Sequence, residues 1–241
     1  KKLTLQLLVS GSHLSPEFGL TYTQILDDGF HIDEKVEMLV SSNSPMGTAK
    51  SMGLGVLGYA DALERLSPDL IVILGDRYEA LAVAQTSLIM GIPILHLHGG
   101  EASEGANDDA FRHAITKLSN LHAPSTDSYR KRVIQLGESP DRVVNVGAMG
   151  LDYLQRGDFL NRNELSASLK FDLSKPFFVV TYHPVTLGDE DPIPSCQALL
   201  EALEHFHSHQ VIFTYPNADD GGREIIPLIE SYASSNIGRV L

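Results

Sequence analysis

The chain is 241 residues long, 43% apolar, and carries 31 acidic against 18 basic side chains, a formal net charge of −13. That length and apolar content suffice for a substantial core, which excludes a disordered chain or a small disulfide scaffold. The acidic excess repels phosphodiester backbones, so no nucleic-acid partner is expected. A single cysteine, Cys196, forms no internal disulfide and suits a reducing compartment. No apolar run approaches the roughly 20 residues that span a bilayer, and Lys1-Lys2-Leu3 leading into Leu5–Val9 is too short and too polar for a signal peptide. The expectation is a soluble, cytoplasmic protein without a membrane partner.

Short apolar runs alternate with longer helical patterns. Strands are expected at Leu3–Val9, Val36–Ser41, Leu70–Leu74, Ile92–Leu97, Leu121–Ala123 and Val143–Val146, each bounded by Gly, Pro, Asp or Ser. Helical patterns lie between them at Pro16–Asp28, Met46–Leu66, Glu79–Met90, Ala106–Leu118 and Thr126–Leu136. Ser67-Pro68-Asp69 stops the second of these, and Gly91 with Pro93 stops the third. Near-continuous apolar strands such as Leu70–Leu74 are what a sheet covered on both faces requires. The β-α alternation therefore argues an α/β fold with a doubly wound parallel sheet.

A polar stretch, Leu151–Lys175, interrupts the pattern. The alternation restarts with a strand at Phe177–Tyr182, a helix around Ser195–His207, a strand at Val211–Tyr215 and a helix at Arg223–Ser234. The domains expected are an N-terminal Rossmann-like domain over residues 1–150, linker helices over 151–175, and a partial C-terminal Rossmann-like domain over 176–241. A cleft between two such domains is a common place to bind a nucleotide.

Gly53-Leu54-Gly55-Val56-Leu57-Gly58 satisfies G-x-G-x-x-G. A dinucleotide fingerprint needs those glycines in a strand-to-helix turn. Here they fall within a long helical pattern, so close packing is expected and no nicotinamide cofactor. Gly75-Asp76-Arg77-Tyr78-Glu79, by contrast, directly follows an apolar strand. Ligands of open α/β sheets bind at such carboxyl ends, Gly75 permits a tight turn, and a helix starting near Tyr78 offers N–H groups to an anion. The plainer alternative is Asp76 as an N-cap with a solvated Arg77.

The densest cluster is His96-Leu97-His98-Gly99-Gly100-Glu101, followed by Glu104, Asp108, Asp109, Arg112 and His113. His96 and His98 are two apart on a strand and are expected on one face. Asp108 with Arg112, and Asp109 with His113, are four apart and share a helix face in pairs. Carboxylates beside His or Arg have the tunable proton affinity that general acid–base chemistry needs. His-x-His with carboxylates also has the donor types for zinc, but no H-E-x-x-H helix or cysteine pair accompanies it, and no metal is expected. Thr181-Tyr182-His183-Pro184-Val185-Thr186 and Thr214-Tyr215-Pro216-Asn217-Ala218-Asp219 form a polar rim at two further strand ends. Asp219-Asp220-Gly221-Gly222-Arg223 then opens a helix whose N-terminus suits a phosphate.

Leu70–Glu79 (LIVILGDRYE), His96–Glu101 (HLHGGE), Asp108–Ser119 (DDAFRHAITKLS), Thr181–Thr186 (TYHPVT) and Thr214–Gly222 (TYPNADDGG) together closely resemble the hydrolysing UDP-N-acetylglucosamine 2-epimerases of bacterial sialic- and legionaminic-acid synthesis. The resemblance runs across essentially the whole chain. It implies a GT-B-like pair of Rossmann-type domains, a homodimer, a UDP-sugar substrate, and neither metal nor nicotinamide. The implied chemistry is elimination of UDP to a glycal followed by hydration, releasing N-acetylmannosamine, or a diacetamido analogue, and UDP. Such a path needs a base for the C2 proton, an acid for the leaving group and positive groups on the diphosphate.

By motif match, Asp76 and Asp108 take the places of catalytic carboxylates, His183 that of a histidine near the diphosphate, and Arg77 and Asn217 fall at nucleotide-sugar contacts. Arg112, His113 and Asp219 are expected to bind substrate beside them. One departure concerns His98, which stands where some relatives carry a catalytic Glu; that role falls to His98 itself, or to Glu101 or Glu104. A second concerns length. Family members usually begin with a strand and a G-T-R-type loop, and end with a Ser-rich loop, a Glu and a further Arg. Neither segment is in this sequence, which implies truncation at both ends. The same motifs leave other readings open: a non-hydrolysing epimerase, a GT-B glycosyltransferase, a metallohydrolase built on His96 and His98, or a nucleotide-sugar sensor.

Overall fold

The computed structural model describes residues 3–42, 44–103, 107–157, 159–185, 191–216 and 222–241, with only the backbone of residue 223. The chain divides into two compact units, Lys1–Gln155 and Arg156–Leu241. In the first, β1 (Leu8–Ser10) pairs with β2 (Glu34–Val36), and β3 (Ile71–Leu74), β4 (Ile94–Leu97) and β5 (Leu121–Ala123) form a second ladder in that order, every pairing parallel. The Val143–Val146 run continues this ladder without becoming a full strand: the N–H groups of Val144 and Val146 donate to the carbonyls of His122 and Pro124 at 2.9 and 3.1 Å. In the second unit, β6 (Phe177–Thr181) pairs in parallel with β7 (Gln210–Thr214).

The helices are α1 (Tyr22–Asp27), α2 (Pro45–Leu66), α3 (Tyr78–Ile89), α4 (Asp108–Leu118), α5 (Asp127–Gln135), α6 (Asp152–Arg156), α7 (Arg162–Leu169), α8 (Pro192–Glu204) and α9 (Gly222–Ser235). α2 and α8 start at side-chain caps, α8 with Asp191 accepting from the Ile193 N–H at 2.9 Å. Ser44 accepts from the Gly47 N–H at 3.2 Å with Pro45 in the first turn of α2. The expected Pro16–Asp28 helix is broken, because Gly19 and Leu20 both adopt left-handed backbone (φ 81 and 48) between a 3-10 turn and α1. β1 begins at Leu8 rather than Leu3, and β2 ends at Val36, where the expected strand began.

The two ladders of the first unit share no strand pairing among the described residues; helices join them. Tyr59 of α2 and Tyr78 and Ala82 of α3 pack with Val36 and Met38. The G-x-G-x-x-G glycines lie inside α2, where a Cβ on Gly55 would sit 2.7 Å from Met38 and one on Gly58 2.6 Å from Val36. The smallness of Gly55 and Gly58 lets the helix approach the end of β2 and Met38 just beyond it, while a Cβ on Gly53 would meet nothing within 4 Å among the described residues.

One face of the β3–β4–β5 ladder, carrying Ile73, Ile94 and His96, is buried beneath α3 and α4 against Leu81, Ala84 and Ile115. The opposite face is apolar yet open among the described residues: Val72 is 57% exposed, Leu74 59% and Val144 58%. Among the described residues, cover is found on the first of these faces. An apolar strand requires burial but does not say what buries it. The second unit packs α8 against α9 through Cys196, Leu200, Ile225 and Ile229. No described helix is long and apolar enough to cross a membrane.

His96 is fully buried on β4. Its Nε2 lies 2.8 Å from the Gly75 carbonyl, which only accepts, so Nε2 carries the proton; Nδ1 receives the Thr116 hydroxyl at 3.2 Å. Burial, chiefly, pushes its pKa from 6.5 down to about 4; the Gly75 bond opposes the shift, and the neighbouring His122 and His98 add to it.

Two outcomes are expected. Ile73→Ala should destabilise the chain by about 2–5 kcal/mol in urea unfolding, whereas Val72→Ala on the open face should cost less than about 1 kcal/mol; equal losses contradict the one-sided burial. The second concerns pH. Above pH 6.5 the His96 ring is neutral folded or unfolded. As pH falls toward about 4, the unfolded chain takes a proton that the folded core resists, so stability is lost through that window. His122, also pushed down by burial, contributes in the same direction. The stability gap between wild type and His96→Gln isolates His96 and should shrink on acidification; a constant or widening gap contradicts the buried neutral ring.

Candidate active site

The pairing register brings three strand ends together. Leu74 faces Leu97 across β3–β4, and Leu97 faces Ala123 across β4–β5, so the residues just beyond, Asp76, His98 and Ser125, share one rim. Gly75 turns the chain after β3 with φ 79, and its N–H donates to the Leu97 carbonyl at 3.1 Å. The Gly75 carbonyl is held from below by His96. Asp76 is thus placed by a turn that the core fixes. It does not cap α3: the N-cap is Arg77, and no side chain caps there.

The Asp76 carboxylate goes instead to Arg112 of α4, whose Nη2 donates to Asp76 Oδ2 and, at 2.9 Å, to Ser103 Oγ, while Nη1 donates to Asp109 Oδ1 at 3.3 Å. Arg112 is 3% exposed, and burial lowers its hold on the proton. An arginine so placed needs a counter-charge, and Asp76 supplies it. Asp109 also lies 3.5 Å from His113 Nε2. It therefore serves both residues, in addition to the His113 pairing expected from spacing. Asp108 is the first residue of α4 and is half-buried.

His98 behaves differently from His96. The chain leaves strand geometry after Leu97, and His98 takes left-handed backbone (φ 63). The expectation that the two histidines share a face fails for that reason, since period two holds only while the strand does. His96 goes into the core and His98 to the rim. His98 Nδ1 lies 2.9 Å from Glu101 Oε1, which also accepts from Ser125 Oγ at 2.7 Å. The intervening turn presses on α5: a Cβ on Gly100 (φ 82) would sit 2.5 Å from the Tyr129 carbonyl, and Arg132 Nη1 donates to the Gly100 carbonyl.

These groups enclose a pocket of about 310 Å³ whose polar wall is Asp76, His98, Glu101 and Arg112 and whose apolar wall includes Leu74 and Met149. That is the size of a small-molecule site. Four of the residues marked in the sequence therefore converge. Arg77, Asp108 and His113 lie outside the pocket wall; Arg77 pairs through Nε with Glu79 at 3.2 Å. His183 is exposed beyond β6 in the second unit. Asn217, Asp219, Glu104 and Thr186 lie outside the described residues. The sequence reading missed Ser125 and Ser103. The rule that marked Asp76 and His98, polar residues just past a strand, applies equally to Ser125. Among the described residues, no group of three or more His, Cys, Asp or Glu side chains is placed to hold a metal ion.

A family model described as UDP-N-acetylglucosamine 2-epimerase matches residues 1–240. The chain is 42% identical, over 98% of its length, to a Campylobacter jejuni protein named GDP/UDP-N,N'-diacetylbacillosamine 2-epimerase (hydrolyzing), of which it covers 61%. It is 34% identical, over 95% of its length, to a Legionella pneumophila protein named UDP-N,N'-diacetylbacillosamine 2-epimerase (hydrolyzing), of which it covers 60%. The chain thus spans about 60% of the length of these curated relatives. Among solved structures it is similar to the Neisseria meningitidis UDP-GlcNAc 2-epimerase bound to UDP-GlcNAc, with TM-score 0.71 and 14% identity over 98% of this chain and 72% of that one. At such identity the likeness bears on fold, and the fold is α/β of the GT-B-like, Rossmann-type class. With the family model matching all but its final residue, the chain belongs to the UDP-N-acetylglucosamine 2-epimerase family.

Proposed function

We propose that the protein is a hydrolysing 2-epimerase that converts a UDP-linked 2-acetamido sugar into UDP and the free C2-epimeric sugar. The substrate is UDP-N-acetylglucosamine or its 2,4-diacetamido trideoxy relative, and the names of the Campylobacter and Legionella proteins favour testing the diacetamido sugar first. A homodimer, a cytoplasmic location and a place in sialic- or legionaminic-type sugar synthesis belong to the same reading.

The observation that carries it is the pocket at the strand ends, which holds a carboxylate tied to a buried arginine beside a histidine–carboxylate pair. Elimination needs a group to take the C2 proton and another to assist departure of the diphosphate; hydration then needs water at C1 and a proton at C2. Asp76 and Asp108 are assigned as catalytic carboxylates, with His98 and Glu101 sharing the remaining acid–base role. Arg77, Arg112 and His113 are assigned to the substrate side. His183 joins the catalytic set, and Asn217 and Asp219 the substrate side, through motif resemblance alone.

The test is proton NMR of the protein with each UDP-sugar in deuterated buffer containing EDTA. Free UDP together with a free epimeric sugar deuterated at C2 is expected. An intact epimeric UDP-sugar without free UDP points to the non-hydrolysing reaction, and unchanged spectra with both substrates contradict the assignment. Asp76→Asn is expected to lower kcat by about 10²–10⁴-fold while urea unfolding stays cooperative. A folded Asp76→Asn, Asp108→Asn double variant with near-wild-type turnover contradicts the assigned roles.

A further inference from the structure

The proposed reaction leaves open which of the rim groups takes a proton from the sugar. Resting on that reading, we infer that His98 is the base of the pocket, that Glu101 holds it in a single tautomer, and that Ser125, which no motif marks, is the positioning residue for Glu101. Glu101 Oε1 sits between two partners, the Ser125 hydroxyl at 2.7 Å and His98 Nδ1 at 2.9 Å. A carboxylate oxygen only accepts, so His98 Nδ1 carries the proton and Nε2 keeps its lone pair. The doubly engaged Oε1 makes Glu101 the orienting partner rather than the reacting one. An imidazole takes a proton at one ring nitrogen while donating through the other, which suits it to exchange protons with substrate.

The three groups reach the rim from two segments, the turn after β4 and the residues after β5, and the backbone fixes each. His98 stands just beyond β4 in left-handed conformation, a costly geometry for a residue with a Cβ and one that recurs where a side chain is being aimed. Glu101 follows Gly100, whose contact with the Tyr129 carbonyl and bond from Arg132 pin the turn to α5. Ser125 lies two residues past the end of β5 and immediately before Thr126, whose hydroxyl caps α5 by accepting from the Tyr129 N–H. One helix terminus therefore fixes both ends of the Ser125–Glu101 contact, and His98 and Glu101 both line the pocket.

In the elimination, the C2–H bond breaks and its proton passes to Nε2 of His98. The released electron pair becomes the C1=C2 bond as the C1–O bond breaks, and that second pair leaves on the diphosphate oxygen of UDP. The imidazolium, still donating through Nδ1 to Glu101, then gives a proton to solvent. Hydration adds hydroxide character at C1 and a proton at C2, which together account for one water.

The tautomer is read directly from two-bond proton–nitrogen correlations of imidazoles in protein labelled with nitrogen-15 histidine, in mildly alkaline buffer. His98→Asn, a residue that tolerates left-handed backbone, assigns the signal by its loss. His98 is expected to show a protonated Nδ1 and a bare Nε2 in wild type and in Ser125→Thr. Glu101→Gln and Ser125→Ala are expected to lose that pattern. In turnover, His98→Asn and Glu101→Gln should lower kcat by about 10²–10⁴-fold. Ser125→Ala should lower kcat by about 10–100-fold with KM nearly unchanged, and Ser125→Thr should restore it. A wild-type His98 protonated at Nε2 alone overturns the inference, and so does a folded His98→Asn variant with wild-type kcat. Wild-type protein that consumes neither UDP-sugar overturns the proposed function and the base role of His98 with it, while the tautomer still decides whether Ser125 and Glu101 hold the ring.

Discussion

A guanidinium 3% exposed to solvent cannot stand alone, and in this fold Asp76 answers Arg112, with the more exposed Asp109 as a second carboxylate at 3.3 Å. Leaving one member of such a pair uncompensated costs about 3–5 kcal/mol, against a total stability of about 5–15 kcal/mol for an ordinary domain. The Lys117–Glu138 pair, with its lysine half exposed, belongs to the class worth about 0–1 kcal/mol. The pair on the buried arginine therefore outweighs it. It ties the turn after β3 to α4, the helix that closes one face of the β3–β4–β5 ladder. Folding and the geometry of the pocket thus share an interaction.

Two supports from outside the pocket hold its polar wall. Beneath the β3 turn, His96 spends both ring nitrogens on structure, donating to Gly75 and accepting from Thr116. Its burial makes protonation unfavourable, so the clamp on Gly75 persists well below neutral pH. Beside the β4 turn, α5 packs its first-turn carbonyl at Tyr129 against Gly100 and reaches Gly100 again through Arg132. The reacting side chains are placed by strand ends and helix termini, which is how open α/β sheets build sites.

Much of this was legible in the sequence because local chemistry carried it. Apolar runs bounded by Gly and Pro located β3, β4 and β5 and the helices between them within one or two residues, and the strand-end rule marked Asp76 and His98. What escaped depends on partners distant in the chain or on a single dihedral. Spacing pointed to carboxylate partners for Arg112 within α4, and could not show that Arg112 also reaches Asp76, 36 positions away. Periodicity put His96 and His98 on one face, and one left-handed residue separated them. An all-apolar strand such as Ile71–Leu74 could not report that Ile73 would be covered and Val72 left open. Ser125 falls under the same strand-end rule, but its partner Glu101, 24 residues upstream, could not be read from spacing.

Asp76 and Arg112 act as a pair that both stabilises the first compact unit and builds the pocket. A double-mutant cycle in urea unfolding, on wild type, Asp76→Asn, Arg112→Gln and the double variant, measures this pairing most directly. A coupling of about 1–3 kcal/mol is expected, with the double variant less destabilised than the sum of the singles. Single losses that add within about 0.5 kcal/mol would mean that the two side chains are neighbours without being partners, and would contradict the claim.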